Sequence, residues 1–244
     1  MLKYTEFSSK LKNILGLRWS PVSIKYVNRD DSLPLEIQKP GSRLYICQAL
    51  ALAKRGESLL LTQDKCKCPD GAPILGLMRT PNKIKSGKFH GVFGKFNSAK
   101  EAKRIVNERP RFDVNKVKAI VFAPFEKSPV DPDIIILTVN PEQVMWICIA
   151  ATYYTGKRLE FSTSGHNSLC SDCMVVPQRD GKINVSFGDY GCRGSTEVDD
   201  CEMFVGIPWS LLPQIIDALE KLSKKAIPDS RNKIYMPIYG RTRI

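Results

Sequence analysis

Histidine is scarce in this chain: only His90 and His166 occur among 244 residues. Catalytic metal centres often have several imidazole ligands, and a Ser-His-Asp hydrolase depends on one positioned imidazole, so the scarcity argues against both classes. A Walker loop and a glycine-rich dinucleotide fingerprint after a strand are also missing. His166 lies in a polar loop shortly before Cys170. We expect a structural or solvated side chain there, with a role as ligand or proton donor as the alternative.

Long apolar runs are missing as well. The longest run, 144–151, is far shorter than the roughly 20 residues that span a bilayer. The first twelve residues carry lysines and Glu6 where an export signal would have an apolar core and a cleavage site. The sequence therefore predicts a cytoplasmic protein without membrane contact.

Acidic residues are outnumbered, because Lys and Arg total 37 and Asp and Glu total 25, a net charge of +12. Such a surplus can indicate nucleic-acid or membrane contact. The charges are not gathered into one long run, which favours a lysine-rich solvated surface and argues against nucleic acid. A basic surface would also attract an acidic partner protein.

The pattern of apolar residues predicts an α+β fold, with a mixed sheet and flanking helices. Residues 117–123 and 133–139 are apolar, β-branched runs, as buried strands are. Residues 209–224 repeat apolar side chains at helical spacing. We expect residues 1–227 to form a single globular domain and residues 228–244 a C-terminal tail.

One arrangement occurs twice along the chain. Each copy has a strand, an apolar helix with an Ile-Cys pair, a glycine at the helix end and a loop with two cysteines. The repetition suggests two pseudo-symmetric halves, about 17–110 and 115–225. A pseudo-twofold axis between them would bring the two cysteine loops toward one site.

The residues that carry most information are the eight cysteines, Cys47, Cys66, Cys68, Cys148, Cys170, Cys173, Cys192 and Cys201. Because stable disulfides are rare in a reducing cytosol, thiols in this number indicate metal ligation, redox chemistry or an anaerobic way of life. The pairs at 66/68 and 170/173 could each present two thiolates to one metal or cluster. Cys148 lies in an apolar helix and is expected in the core, whereas Cys201 is expected to be an exposed thiol.

The spacings leave four interpretations open: an iron–sulfur cluster, structural zinc, a redox dithiol and unliganded thiols. They match neither a ferredoxin run nor a common zinc ribbon, so ligands would have to come from distant segments. The candidate metal-binding set is Cys47, Cys66, Cys68, Cys170, Cys173 and Cys192. Glycines around Cys192 would let backbone N–H groups approach cluster sulfides, and Arg193 and Lys67 would offset negative charge.

Several short stretches occur in an order that is fairly specific: SPVSIK at 20–25, CQA at 47–49, AIVFAP at 119–124, PDIII at 132–136, NVS at 184–186 and VGIP at 205–208. Through them the chain resembles the archaeal cysteine-rich family catalogued as domain of unknown function 169, over about residues 11–222. The resemblance implies recurring cysteines at Cys47, Cys68 and Cys170, and a fourth in a Gly-Cys pair, which is Cys192 here. Four dispersed thiols of this kind suit one 4Fe–4S cluster, and the additional cysteines leave room for a second or larger cluster.

Three functional hypotheses follow. The first is an iron–sulfur protein whose cluster, held by the four recurring cysteines, has a redox, electron-transfer or cluster-carrier role with an acidic partner. The second is an iron–sulfur enzyme with an open iron site, in which His166, Arg193 or Asp200 acts on a substrate. The third is a zinc-stabilised module that binds nucleic acid. A homodimer is compatible with each.

Overall fold

The apolar, β-branched segments of the chain form the strands of one sheet. The computed structural model describes residues 2–34 and 36–234. The strands are β1 (Val22–Asn28), β2 (Leu59–Thr62), β3 (Val117–Pro124), β4 (Ile134–Val139), β5 (Asn184–Ser186) and β6 (Met203–Pro208). Every residue of β4 is buried, so this strand has a continuously apolar sequence instead of an alternating one.

The order of the strands in the sheet is β2-β3-β1-β4-β6-β5, and every neighbouring pair in the described residues is antiparallel. The prediction of a mixed sheet is therefore wrong. β1 and β2 do run in the same direction, but β3 returns between them, and β6 separates β4 from β5 in the same way. The two crossovers thus join parallel strands that are not hydrogen-bonded neighbours.

Helices flank the sheet and confirm the α+β class. Those in the described part of the chain are α1 (Leu2–Leu15), α2 (Ile46–Lys54), α3 (Gly71–Ile74), α4 (Asn82–Lys85), α5 (Lys88–Gly91), α6 (Ala99–Glu108), α7 (Pro141–Thr152), α8 (Val176–Asp180), α9 (Tyr190–Ser195), α10 (Leu212–Leu222) and α11 (Ala226–Arg231). A π-helical turn, Leu169–Val175, leads into α8. α7 begins at a cap, because the Asn140 side chain accepts a hydrogen bond from the Gln143 N–H at 2.9 Å.

Side chains along a strand alternate between the two faces of the sheet, and most of the buried ones belong to two large cores. Ile24, Phe122 and Ile136 belong to the first core, which α2, α3 and the π-helical turn cover. Ile135 and Leu137 belong to the second core, which α1, α7 and α10 cover. We call the face of the first core the cysteine face, because six of the cysteines are buried or packed there.

The two halves of the sheet have the same strand arrangement. From the centre outward the order is β1-β3-β2 on one side and β4-β6-β5 on the other. The helices do not follow this symmetry, because α2 covers the cysteine face and α7 covers the opposite face. The two helices with Ile-Cys pairs, which carry Cys47 and Cys148, therefore lie on opposite sides of the sheet.

The C-terminal segment returns to the second core. Ile227 of α11 is buried, and the Arg231 guanidinium donates hydrogen bonds to the Glu142 carboxylate at 3.1 Å and to the Leu15 carbonyl at 3.2 Å. The rest of the predicted tail, residues 235–244, lies outside the described residues. None of the helices described here has both the length and the apolar character needed to cross a membrane.

Candidate cysteine-lined site

Four cysteines from segments far apart in the sequence line one cavity of about 670 Å³. Cys47 lies in the first turn of α2, Cys68 between β2 and α3, Cys170 in the π-helical turn and Cys192 in α9. All four segments pack on the cysteine face, which is why folding brings these residues together. They are the same four cysteines to which the family resemblance points.

Gly71 lies between two of the sulfurs. Its backbone N–H donates a hydrogen bond to Cys68 Sγ at 3.1 Å. A Cβ atom at this position would lie 2.8 Å from Cys68 Sγ and 3.0 Å from Cys170 Sγ, both shorter than ordinary van der Waals contact. Glycine is therefore the residue that leaves both sulfurs in place and still offers an N–H group to one of them.

Cys47 and Cys192 form the second close pair. The Cys192 thiol donates a hydrogen bond to the Cys47 sulfur, which lowers the pKa of Cys47 and raises the pKa of Cys192. The Ser195 hydroxyl lies 3.3 Å from Cys47 Sγ. Asp189 fixes the start of α9, because its side chain accepts a hydrogen bond from the Cys192 N–H at 2.9 Å. Cys47 is thus the most easily ionised thiol of the four.

Burial disfavours the thiolate forms of Cys68 and Cys170, because it raises the pKa of both. It raises the pKa of Cys68 to about 12. Burial, followed by repulsion from Cys68, also raises the pKa of Cys170 well above its usual value. Four thiolates would therefore not coexist here at neutral pH without a compensating cation. Because a metal centre deprotonates its thiol ligands, the binding of one would release protons from this site.

Two further candidate ligands do not line the cavity. Cys66 is buried in the adjoining core, and burial raises its pKa. Cys173 is directed toward the sheet, with its sulfur 3.5 Å from the Phe204 carbonyl oxygen. The wide turn of a π-helix separates Cys170 from Cys173 around the helix axis, so this Cys-x-x-Cys pair does not present both sulfurs to one point.

The last two cysteines lie elsewhere. Cys148 is half-buried on α7, on the face of the sheet opposite to the cavity, and burial raises its pKa. Cys201 is exposed in the turn before β6. Both are suitable as control positions because neither lines the cavity.

The four thiols that line the cavity are donors of the kind that both zinc and iron–sulfur clusters use. Tetrahedral zinc, with Zn–S bonds of about 2.3 Å, holds its sulfurs about 3.8 Å apart. Within residues 2–34 and 36–234, no three Cys, His, Asp or Glu side chains are placed to hold one metal ion. An iron–sulfur cluster binds its thiolates through different iron atoms and therefore accepts sulfurs that lie further apart.

A buried charge network, which the sequence alone did not reveal, adjoins the sulfurs. The Asp70 carboxylate accepts a hydrogen bond from the Arg109 guanidinium at 2.8 Å and lies 3.3 Å from His90 Nε2. Burial alone would raise the pKa of Asp70, but His90 and Arg109 together hold it below its usual value. Arg109 also donates to the Asn167 side chain at 2.8 Å. Asp70, His90 and Asn167 line the cavity.

The residues that the sequence suggested for acid–base or charge roles are not placed to act on the sulfurs. His166 stacks on Phe96 with 4.4 Å between ring centroids and does not line the cavity. Arg193 does line it, but its guanidinium donates to three backbone carbonyls. Asp200 is exposed outside the lining, and the Lys67 ammonium lies 4.7 Å from the centre of an aromatic ring. His90 and Asp70 thus form a titratable pair in the cavity lining. The one sequence signal for this pair is that Asp70 follows Cys68 by two residues.

The mouth of the cavity is aromatic. Phe93 and Tyr190 line it and remain exposed, by 43% and 65%, with 5.9 Å between their ring centroids. The Lys95 ammonium lies 5.3 Å from the Phe93 ring centre and 5.0 Å from that of Tyr190. The cavity therefore opens to solvent between side chains that also suit contact with a partner.

Comparison with known proteins identifies the family. The family model of DUF169, described as uncharacterised ArCR, matches residues 10–218, so the chain belongs to this family. The chain is similar to the uncharacterized protein MJ0308 of Methanocaldococcus jannaschii, with 26% identity over 217 residues, 88% of this chain and 93% of the relative. These findings confirm the resemblance that the sequence stretches suggested. No solved structure matches the chain.

Proposed function

We propose that this protein binds an iron–sulfur cluster, in the simplest case 4Fe–4S, through Cys47, Cys68, Cys170 and Cys192. Its role would be in the cytoplasm, in redox chemistry, electron transfer or cluster delivery. The observation that carries the proposal is that these four thiols, from four separate segments, line one cavity. Thiolates are the usual ligands of such clusters.

The surroundings of the sulfurs support the same proposal. When bound, a cluster supplies one-electron chemistry, and hydrogen bonds to its sulfur ligands tune its potential. The Gly71 N–H already donates to Cys68 Sγ, and the Ser195 hydroxyl is within 3.3 Å of Cys47 Sγ. The protein would thus bind the ligand sulfurs in fixed positions and keep water from Cys68 and Cys170, which are largely buried.

A second candidate function, an iron–sulfur enzyme with an open iron site, is favoured by one specific observation. The Asp70–His90 pair lines the same cavity, whose volume of about 670 Å³ leaves space beside the sulfurs. His90 could exchange a proton with a small substrate held there, while Asp70 orients its ring. Substrate-dependent changes in the electron paramagnetic resonance spectrum, lost in His90→Ala at unchanged iron content, would distinguish this function from electron transfer alone.

The test of cluster binding is anaerobic purification with iron and acid-labile sulfide analysis and an absorption spectrum. We expect about four irons and four sulfides per chain in the wild type. Alanine at Cys47, Cys68, Cys170 or Cys192 should remove more than half of the iron, because three thiolates hold a cluster weakly.

Cys148→Ala and Cys201→Ala are the matched controls and should retain the wild-type iron content, since both lie outside the cavity. About eight irons per chain would indicate that Cys66 or Cys173 takes part in a second cluster. Colourless, iron-free protein after strict anaerobic handling would contradict the proposal, as would equal iron loss in the control variants.

A further inference from the structure

The positive charge of the chain is concentrated beside the cysteine cavity. Residues 79–104, here called the basic segment, contain eight Lys or Arg residues and a single acidic residue, Glu101. More than half of the net charge of +12 therefore comes from about a tenth of the chain. Lys83, Lys85 and Lys88 are exposed on α4 and α5. The surplus is thus not the evenly dispersed charge that the sequence as a whole suggested.

The basic segment is a fixed part of the cavity wall. It contributes Phe89, His90, Phe93 and Lys95 to the lining. Gly87, with φ of +79°, lets α5 start directly against α6, because a Cβ there would collide with the Ala99 carbonyl oxygen. Burial of Ile84, Ala102 and Val106 joins α4 and α6 to the domain. The backbone that carries its lysines is therefore packed onto the domain beside the cavity.

An apolar centre adjoins these charges at the mouth of the cavity. Val92 is 75% exposed, and Phe93 and Tyr190 are also exposed. Lys95 lies over both aromatic rings. Apolar and aromatic side chains surrounded by charge are typical of protein interfaces, in which aromatic residues provide much of the binding energy and the charged rim steers association.

We propose that the basic segment, together with Val92, Phe93 and Tyr190, docks an acidic protein that carries its own redox centre. This inference rests on the proposed function and locates its partner surface. Charge complementarity selects an acidic occupant, and the exposed aliphatic Val92 suits a protein better than a nucleic acid, whose bases would stack on aromatic rings alone. A partner seated here covers the opening to Cys47 and Cys192, so its redox centre approaches the sulfurs from the accessible side.

The test measures binding of the full chain to an immobilised small acidic plant-type ferredoxin as the probe, by biolayer interferometry at several salt concentrations. The triple variant Lys83→Glu, Lys85→Glu, Lys88→Glu should bind at least tenfold more weakly and with a smaller salt dependence. The matched control reverses three exposed lysines at 157, 224 and 225, two of which follow α10 on the opposite face. It changes the net charge equally and should alter affinity less than threefold.

A neutral variant separates apolar contact from charge: Val92→Asn should weaken binding about fivefold without changing the salt dependence. An equal loss of affinity in the two triple variants would overturn the proposal. The absence of binding by the wild type at low salt would overturn it as well. Salt-dependent binding of a single-stranded oligonucleotide without binding of the ferredoxin would also overturn it and assign the surface to nucleic acid. Because the measurement needs no cluster, the two proposals can fail separately: a chain that stays iron-free after strict anaerobic purification but binds the probe would contradict the proposed function and leave the docking surface standing.

Discussion

Replacement of Gly71 by alanine tests the packing of the candidate site. The added methyl group would lie 2.8 Å from Cys68 Sγ, 2.8 Å from Ile46 Cγ1 and 3.0 Å from Cys170 Sγ. The backbone at Gly71 is ordinary, with no left-handed φ, so conformational strain does not contribute. The buried Ile46 side chain cannot easily move, and the sulfurs must therefore shift to relieve the contacts.

The two contributions to stability have opposite signs. Alanine in place of glycine in a helix normally stabilises by roughly 0.5–1 kcal/mol. Overpacking of a filled core costs about 1–3 kcal/mol. We therefore expect Gly71→Ala to lower the free energy of unfolding by about 1–2 kcal/mol. Iron content should fall by more than half, because displaced sulfurs no longer face the same space.

The assay is urea denaturation of the iron-free chain, followed by iron analysis after anaerobic loading. Gly91→Ala is the matched control: this glycine is also helical, and a Cβ there would meet nothing within 4 Å. The control should unfold at the wild-type urea concentration or above it and should load iron normally. Wild-type stability together with wild-type iron content in Gly71→Ala would refute the reasoning.

Two further substitutions test buried charges near the cavity. Asp70→Asn should lower the free energy of unfolding by about 3 kcal/mol in urea denaturation, because it leaves the buried Arg109 guanidinium without its carboxylate. A decrease below about 1 kcal/mol would contradict this. The control Glu108→Gln breaks an exposed ion pair and should lower the free energy of unfolding by less than about 0.5 kcal/mol. Asp172→Asn should stabilise by about 1–3 kcal/mol at pH 7, because burial raises the pKa of Asp172 to about 6. The Asp172 carboxyl then binds its proton more tightly in the folded state than in the unfolded state. Ionisation of this carboxyl therefore lowers the free energy of unfolding as pH rises from about 4 to 6. The gain should vanish near pH 3, and a gain that is constant with pH would show that the carboxyl's ionisation is not responsible.

Much of the fold is legible in the local sequence. The strands predicted at 117–123 and 133–139 are observed as Val117–Pro124 and Ile134–Val139, and the cap at Asn140 follows from its side chain and the proline after it. Such elements depend on residues within a few positions of each other, so local patterns suffice. Local patterns do not determine which strands are neighbours in the sheet. In a mixed sheet β2 would lie beside β1, but β3 lies there instead, and nothing in the local pattern of Leu59–Thr62 indicates this.

For the candidate site too, the sequence suggested one part and the fold decided another. The family resemblance pointed to Cys47, Cys68, Cys170 and Cys192, and the fold brings these four to one cavity. The spacing of Cys170 and Cys173 suggested a two-thiolate clip, which the π-helical turn does not form. A π-helical turn depends on how the segment packs under β5 and β6, and therefore on contacts that the spacing does not contain.

By itself, the sequence determined the α+β class and the positions of the strands and longer helices that its local patterns predict. These properties follow from side-chain periodicity, capping and residue chemistry, which act over short distances. Only the tertiary structure decided the antiparallel order, the separation of Cys47 and Cys148 by the sheet, the burial of Asp70 with His90 and Arg109, and the concentration of lysines beside the cavity mouth. Each of these depends on which distant segments pack together. The burial of a side chain, its ion pairs and the distance between two sulfurs are set by residues that are far away in the sequence.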